Sequence, residues 1–211
     1  MSFLATHLRF ALDLKDHYQI KDLSQYLSGA IYPDSRYFTA IDRDLTHNDD
    51  ILVDNWANTD FKKGWQSHQF CDQLHEVARI EIFPKLFSKK DNDHIWLTAS
   101  ALKIIQDMDD RSHFDLQACL KNLNYFYNAN GEDLNLVKKY SQLAIETYAN
   151  KKVVSFEDYR AYVEAMPLTK DMIAQFVSLT EQYLSDVEIV SKVKQIYPKV
   201  LQMMNKMKES D

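Results

Sequence analysis

The sequence predicts an all-α protein. Three glycines and four prolines in 211 residues amount to about 3%, where an average chain carries about 12%. A β-sandwich or barrel needs a turn roughly every 8–12 residues, and a doubly wound α/β fold needs glycine at its strand-to-helix turns. Apolar residues recur instead at helical spacing along most of the chain. Hydrophobic side chains make up 45% of the total, enough for a packed core, which excludes wholesale disorder. The length favours one domain, 1–211, in which helices of 115–208 pack around a site drawn from 1–110.

Phe3, Leu4, His7, Leu8, Ala11 and Leu12 form one stripe, so the first helix opens the chain. A short second helix covers about Lys21 to Leu27, with Gly29 just past its end. From Ala30 to about Asn58 no period is sustained. That stretch is longer than an ordinary loop, and such segments in compact domains are usually functional. Its Tyr32, Tyr37, Phe38, Ile41, Ile51, Leu52 and Trp56 argue for order. A long helix follows from about Thr59 to Phe83, stopped near Pro84, and another from about Asp93 to Asp110. Further helices fit Leu116–Tyr127, Asp133–Tyr148, Phe156–Glu164, Lys170–Tyr183 and Val187–Met207. Ser155, with Asp158 three residues on, reads as one N-cap and Thr169 as another. The last helix carries Val190, Val193, Ile196, Tyr197, Val200, Leu201 and Met204 on one stripe. Core packing is the first reading of it; a homodimer face is the other.

The net charge is −6, so the global basic field of a non-specific nucleic-acid binder is missing and no stable nucleic-acid partner is expected. Cys71 and Cys119 make no disulfide framework and no CxxC pair. The first residues carry neither an early positive cluster nor a cleavage motif, and no apolar run approaches the length of a membrane span. A cytoplasmic protein is the expectation. Signatures of a serine hydrolase elbow, a P-loop, a dinucleotide fold and a HExxH metalloprotease are all missing from the sequence.

The residues that could carry chemistry lie in GWQSHQFCDQLHE, Gly64–Glu76. His68 and Asp72 are four apart, so on a helix they reach one point, and His75 extends the stripe. Gly64, four before His68, leaves room for an ion, a ligand or another backbone. An imidazole and a carboxylate on one face suit a divalent metal; the plain alternative is a helix-surface hydrogen bond. Upstream stand His7, which a core histidine would also explain, Asp34, which turn chemistry would explain, and His47, which a solvated loop would explain. Taken together, three His and two Asp suffice for one tetrahedral site and part of a second. Arg36 and Arg43 flank them and could neutralise a phosphoryl oxygen, or pair with Asp42 and Asp44. Tyr32, Tyr37 and Trp65 fit a pocket wall or simply core.

The pieces THLRF, GAIYPDSRY, LTHND and GWQSHQFCD resemble the zinc-dependent phospholipase C family and its relatives, the zinc-dependent single-strand nucleases. The resemblance covers roughly residues 1–80. It implies a helical bundle of that type and a metal site of His7, Asp34, His47, His68 and Asp72, with Asp72 able to bridge two ions. Those secreted enzymes carry a further HxxxE pair downstream, and this chain has none after Asp72, so one or two ions are expected rather than three. QDMDDRSH, Gln106–His113, distantly resembles the late carboxylate of HD-type phosphohydrolases, which makes Asp107 a sixth candidate ligand. An Asp107–Arg111 pair at a helix end would explain it as well.

The resulting expectation is a metal-dependent hydrolase of a small phosphate ester, phosphodiester or phospholipid-like. A divalent ion, zinc first and Fe, Mn or Ni as alternatives, lowers the pKa of bound water from about 15.7 towards about 7. Asp34 and Asp72 are the expected catalytic carboxylates; Arg36, Arg43 and His75 are the expected substrate-binding groups. Two other readings remain: an HD-type nucleotide phosphohydrolase using Asp107, and a non-catalytic helical interaction protein.

Overall fold

Twelve α-helices and two short 3-10 turns account for the regular structure, with no strand among the described residues. The structure is a computed structural model that describes residues 3–52, 57–88, 91–151, 154–164, 166 and 168–208; Trp56 lies outside them. Helices α1 (Leu4–Leu14), α2 (Leu23–Ile31), α5 (Asp60–Ile82) and α6 (Asn92–Asp110) build the half that holds the candidate ligands. Between them, α3 (Arg36–Thr39) and α4 (Arg43–Thr46) are single turns. Helices α7 (Leu116–Leu120), α8 (Leu134–Tyr148), α9 (Phe156–Glu164), α10 (Lys170–Ser185), α11 (Val187–Val193) and α12 (Ile196–Lys208) complete the bundle. The long α5 packs against α1, α2 and α12, while α6 packs against α1, α10 and α11.

Local chemistry starts most of these helices. The side chains of Asp22, Thr59, Asp91, Asp133 and Thr169 each accept a backbone N–H in the first turn of the helix that follows. The Asp158 carboxylate takes both the backbone N–H and the hydroxyl of Ser155, at 2.7 and 2.9 Å, which is one half of a capping box. α1 has no such cap, because Phe3 stands at its N-cap position.

The segment 30–58 is ordered as expected over its described part, but as a chain of short helical turns rather than as a loop. Gly29 does not end α2, which runs on to Ile31. Its missing side chain serves packing: a Cβ at Gly29 would overlap the backbone of Phe61, and one at Gly64 would overlap the Tyr26 carbonyl. The space beside Gly64 is therefore filled by the α2 backbone. The helix expected over Leu116–Tyr127 stops at Leu120, and the final helix breaks at Lys194–Gln195. Pro198 lies in the first turn of α12, where its lack of an N–H costs nothing, whereas a continuous helix would have needed that N–H. Of the stripe shared by α11 and α12, Val193, Ile196, Tyr197, Val200 and Met204 are buried and Val190 and Leu201 partly so.

Candidate metal centre

Four separate pieces of chain deliver five side chains to one place. His7 comes from α1, Asp34 from the 3-10 turn Tyr32–Ser35 that continues α2, His47 from the end of α4, and His68 and Asp72 from adjacent turns of α5. His7, Asp34, His47 and His68 are buried, and the Asp72 carboxylate is 18% exposed. The ligand atoms of His7, His68 and Asp72 all lie within 4.8 Å of one another, and so do those of Asp34, His47 and His68. Nε2 of both His47 and His68 lies 3.7 Å from Asp72 Oδ2. His7 Nε2 is 3.9 Å from Asp34 Oδ2 and 4.0 Å from Asp72 Oδ1. The rings of His7 and His68 stack at 3.7 Å.

The surrounding hydrogen bonds assign the protons. His68 Nδ1 lies 2.8 Å from the Ala30 carbonyl. A carbonyl only accepts, so Nδ1 carries the hydrogen and Nε2 of the neutral ring presents a lone pair. His47 Nδ1 lies 2.8 Å from the Thr46 hydroxyl, which donates its own hydrogen to the Arg43 carbonyl. The hydroxyl therefore accepts from Nδ1, and His47 Nε2 is also a lone pair. Those two Nε2 atoms face each other at 3.3 Å, beside a carboxylate. Such an assembly of acceptors repels itself unless a positive charge sits among them. Burial, and after it the neighbouring His68, pushes His47 down to about 2 and His7 well below the usual histidine value, so protonating these rings is an expensive remedy. Both ring nitrogens of His7 and Asp34 Oδ1 are buried without a hydrogen-bond partner, a rarity that asks for an explanation. Burial works upward on the Asp72 carboxyl, but Lys103 and the imidazoles of His7 and His68 outweigh it and hold it well below the usual range. A divalent cation fits this donor set of imidazole nitrogens and carboxylate oxygens.

The cluster opens on one side into a 90 Å³ cleft lined by Arg36, Arg43, Gln69, Gln73, Glu76, Lys103 and the two candidate ligands His47 and Asp72. Among the described residues neither arginine pairs with Asp42 or Asp44; Arg36 stacks on Tyr37 and donates to its hydroxyl at 2.6 Å. Three cationic side chains, with the Glu76 carboxylate at the rim, thus border a cleft of oxyanion size. Tyr32 and Trp65 belong to a small separate core with Ile51, Phe61 and Val137.

Two expected site residues are elsewhere. Asp107 is not in the cluster: Oδ1 accepts the Thr6 N–H at 2.9 Å, and Oδ2 accepts the hydroxyls of Tyr148 and Tyr159 at 2.7 Å each. It supplies from a distance the N-terminal cap that Phe3 cannot give to α1. His75 does not line the cleft. Its Nδ1 donates to the Cys71 carbonyl at 2.7 Å, and its ring packs against Phe10 and Tyr197. Three residues beyond Asp72 on α5, His75 turns towards α1 and α12 instead of the cleft. Conversely Lys103, 3.4 Å from Asp72 Oδ1, had no local sequence signal, because only the placement of α6 beside α5 brings it there.

Comparison of the chain with protein-family models, with curated proteins and with solved structures finds no match.

Proposed function

We propose that the chain is a metal-dependent hydrolase acting on phosphate esters, as its resemblance to the zinc-dependent phospholipase C and single-strand nuclease families implies. The observation that carries this reading is the pair of imidazole lone pairs turned on each other at 3.3 Å beside Asp72. His7, Asp34, His47, His68 and Asp72 are the residues that would hold the metal. A divalent ion held by them supplies a Lewis acid that stabilises phosphoryl charge and makes hydroxide available near neutral pH.

The chain's own groups do the rest. Ala30 and Thr46 fix the tautomers of His68 and His47, so that both present Nε2 to the centre. Arg36, Arg43 and Lys103 attract the anionic ester and hold its non-bridging oxygens. Asp34 Oδ1, buried and without a partner, is placed to take a proton from the attacking water. Asp107, tied up by two tyrosines and a backbone N–H, speaks against an HD-type site.

Elemental analysis of purified protein, paired with hydrolysis of bis-p-nitrophenyl phosphate and p-nitrophenyl phosphate, tests the reading. The expected result is about one or two divalent ions per chain, with activity abolished by chelator and reduced by about a hundredfold or more in His68→Ala. A chain that takes up no stoichiometric metal, or a His68→Ala variant with full activity, would leave a non-catalytic helical scaffold as the surviving reading.

A further inference from the structure

Beyond the metal cleft, the groove between α5 and α6 continues into a second cleft of 250 Å³ that shares Glu76 and Lys103 with the first. Phe87, Ile95 and Trp96 supply apolar walls, and Arg79 contributes its guanidinium. Arg79 is only 3% exposed; its side chain makes no direct hydrogen bond or ion pair among the described residues, and the carboxylates of Asp72 and Glu76 act on it only from beyond contact distance. Its neighbour on the helix, Glu76, is exposed at the shared rim and makes no ion pair with it. Charged groups are almost never this covered unless paired. An anion entering the cleft would supply a direct partner.

We infer that the Arg79–Lys103 cleft binds a second anionic group, phosphate or carboxylate, carried on an apolar or aromatic arm of the ligand. Helix geometry sets its reach. Asp72, Glu76 and Arg79 step along one side of α5, and seven residues from Asp72 to Arg79 span about 10 Å. Lys103, Ala99 and Trp96 step the other way along α6. A molecule held at the metal cleft therefore meets Arg79 only if it extends about 10 Å past the reacting phosphorus. As a statement about substrate class this rests on the hydrolase reading; as a statement about anion binding it stands without a metal.

The test uses 2-naphthyl phosphate as the probe and 2-naphthol as its neutral counterpart, with the full chain kept in chelator and binding read from tryptophan fluorescence and calorimetry. Wild-type protein and His68→Ala should bind the phosphate alike. Arg79→Gln should weaken it by about thirtyfold or more while leaving naphthol unchanged. Ala99→Glu, which places a carboxylate in the cleft without removing a buried group, should weaken it as well, so the inference survives a poorly folding Arg79 variant as a testable one. Binding that is lost in His68→Ala but kept in Ala99→Glu, naphthol binding as tight as naphthyl phosphate, or no binding at all would overturn it. Failure of the hydrolase reading would instead appear as missing metal with these binding results intact.

Discussion

The Nδ1 protons of His68 and His47 are committed to Ala30 and Thr46, and everything chemical about the centre follows from where the other ring nitrogens point. Thr46 is fully buried, so Thr46→Val keeps its shape and removes the hydroxyl that accepts from His47 Nδ1 and donates to the Arg43 carbonyl. Loss of such a supporting partner typically costs about 10–100-fold in metal affinity. We expect a drop of that order, read by competition with a chelating dye, with helix content unchanged; equal affinity in the variant would show that Thr46 does not set the His47 tautomer. At this scale the sequence was informative where spacing decides. His68 and Asp72 share a face because they are four apart, and the structure places them so. His7, Asp34 and His47 stood out only as residue types in a suggestive order, since their convergence depends on how three other segments fold. Asp107 shows the opposite failure. A carboxylate inside an apolar period looks like a ligand, but tyrosines and an uncapped helix end claim it just as well, and they lie in segments remote from it in the chain.

Among the elements, the α2–α5 crossing governs the site, because α2 provides the carbonyl that orients His68 and leads directly into Asp34. The two helices touch backbone to backbone at Gly29 and Gly64. Gly64→Ala gains up to about 1 kcal/mol of helix propensity, but its methyl group has nowhere to go and the helices must separate. Overpacking of that kind costs about 1–3 kcal/mol. A net loss of stability is expected in urea unfolding, together with weaker metal binding as the Ala30 carbonyl retreats; a stabilised variant would mean that the crossing yields more readily than its geometry implies. Gly64 was legible as a residue with something against it, but not what, since sequence alone offers ion, ligand and backbone equally. The helices themselves were legible from period and caps, Thr169 among them. Their breaks were not: Leu120 and the Lys194–Gln195 interruption depend on packing partners.

For the molecule as a whole, buried titratable groups outside the centre shape the response to acid. His75 is fully buried, and burial, with Arg79 adding to it, pushes its pKa down to about 3. The unfolded chain takes up a proton near pH 6.5 that the folded one refuses until about pH 3. His75 therefore contributes stability that is whole above pH 6.5 and drains away as the pH falls towards 3, at up to about 1.4 kcal/mol per pH unit. In chelator, to keep metal linkage out of the measurement, His75→Leu should show a shallower fall of unfolding free energy between pH 6 and about pH 4 than the wild type. Parallel curves would show that His75 is not the group responsible.

The Asp107 contacts also have a temporal side. All five clustered ligands have been translated once residue 72 is made. Yet α1, which carries His7, is capped through Thr6 by a carboxylate from α6 that is in turn gripped by Tyr148 and Tyr159. A nascent chain paused near residue 115 would own every donor atom and still lack the tyrosines that steady the first helix, so capture of the cation would await the emergence of Tyr159, well after the last ligand has been translated.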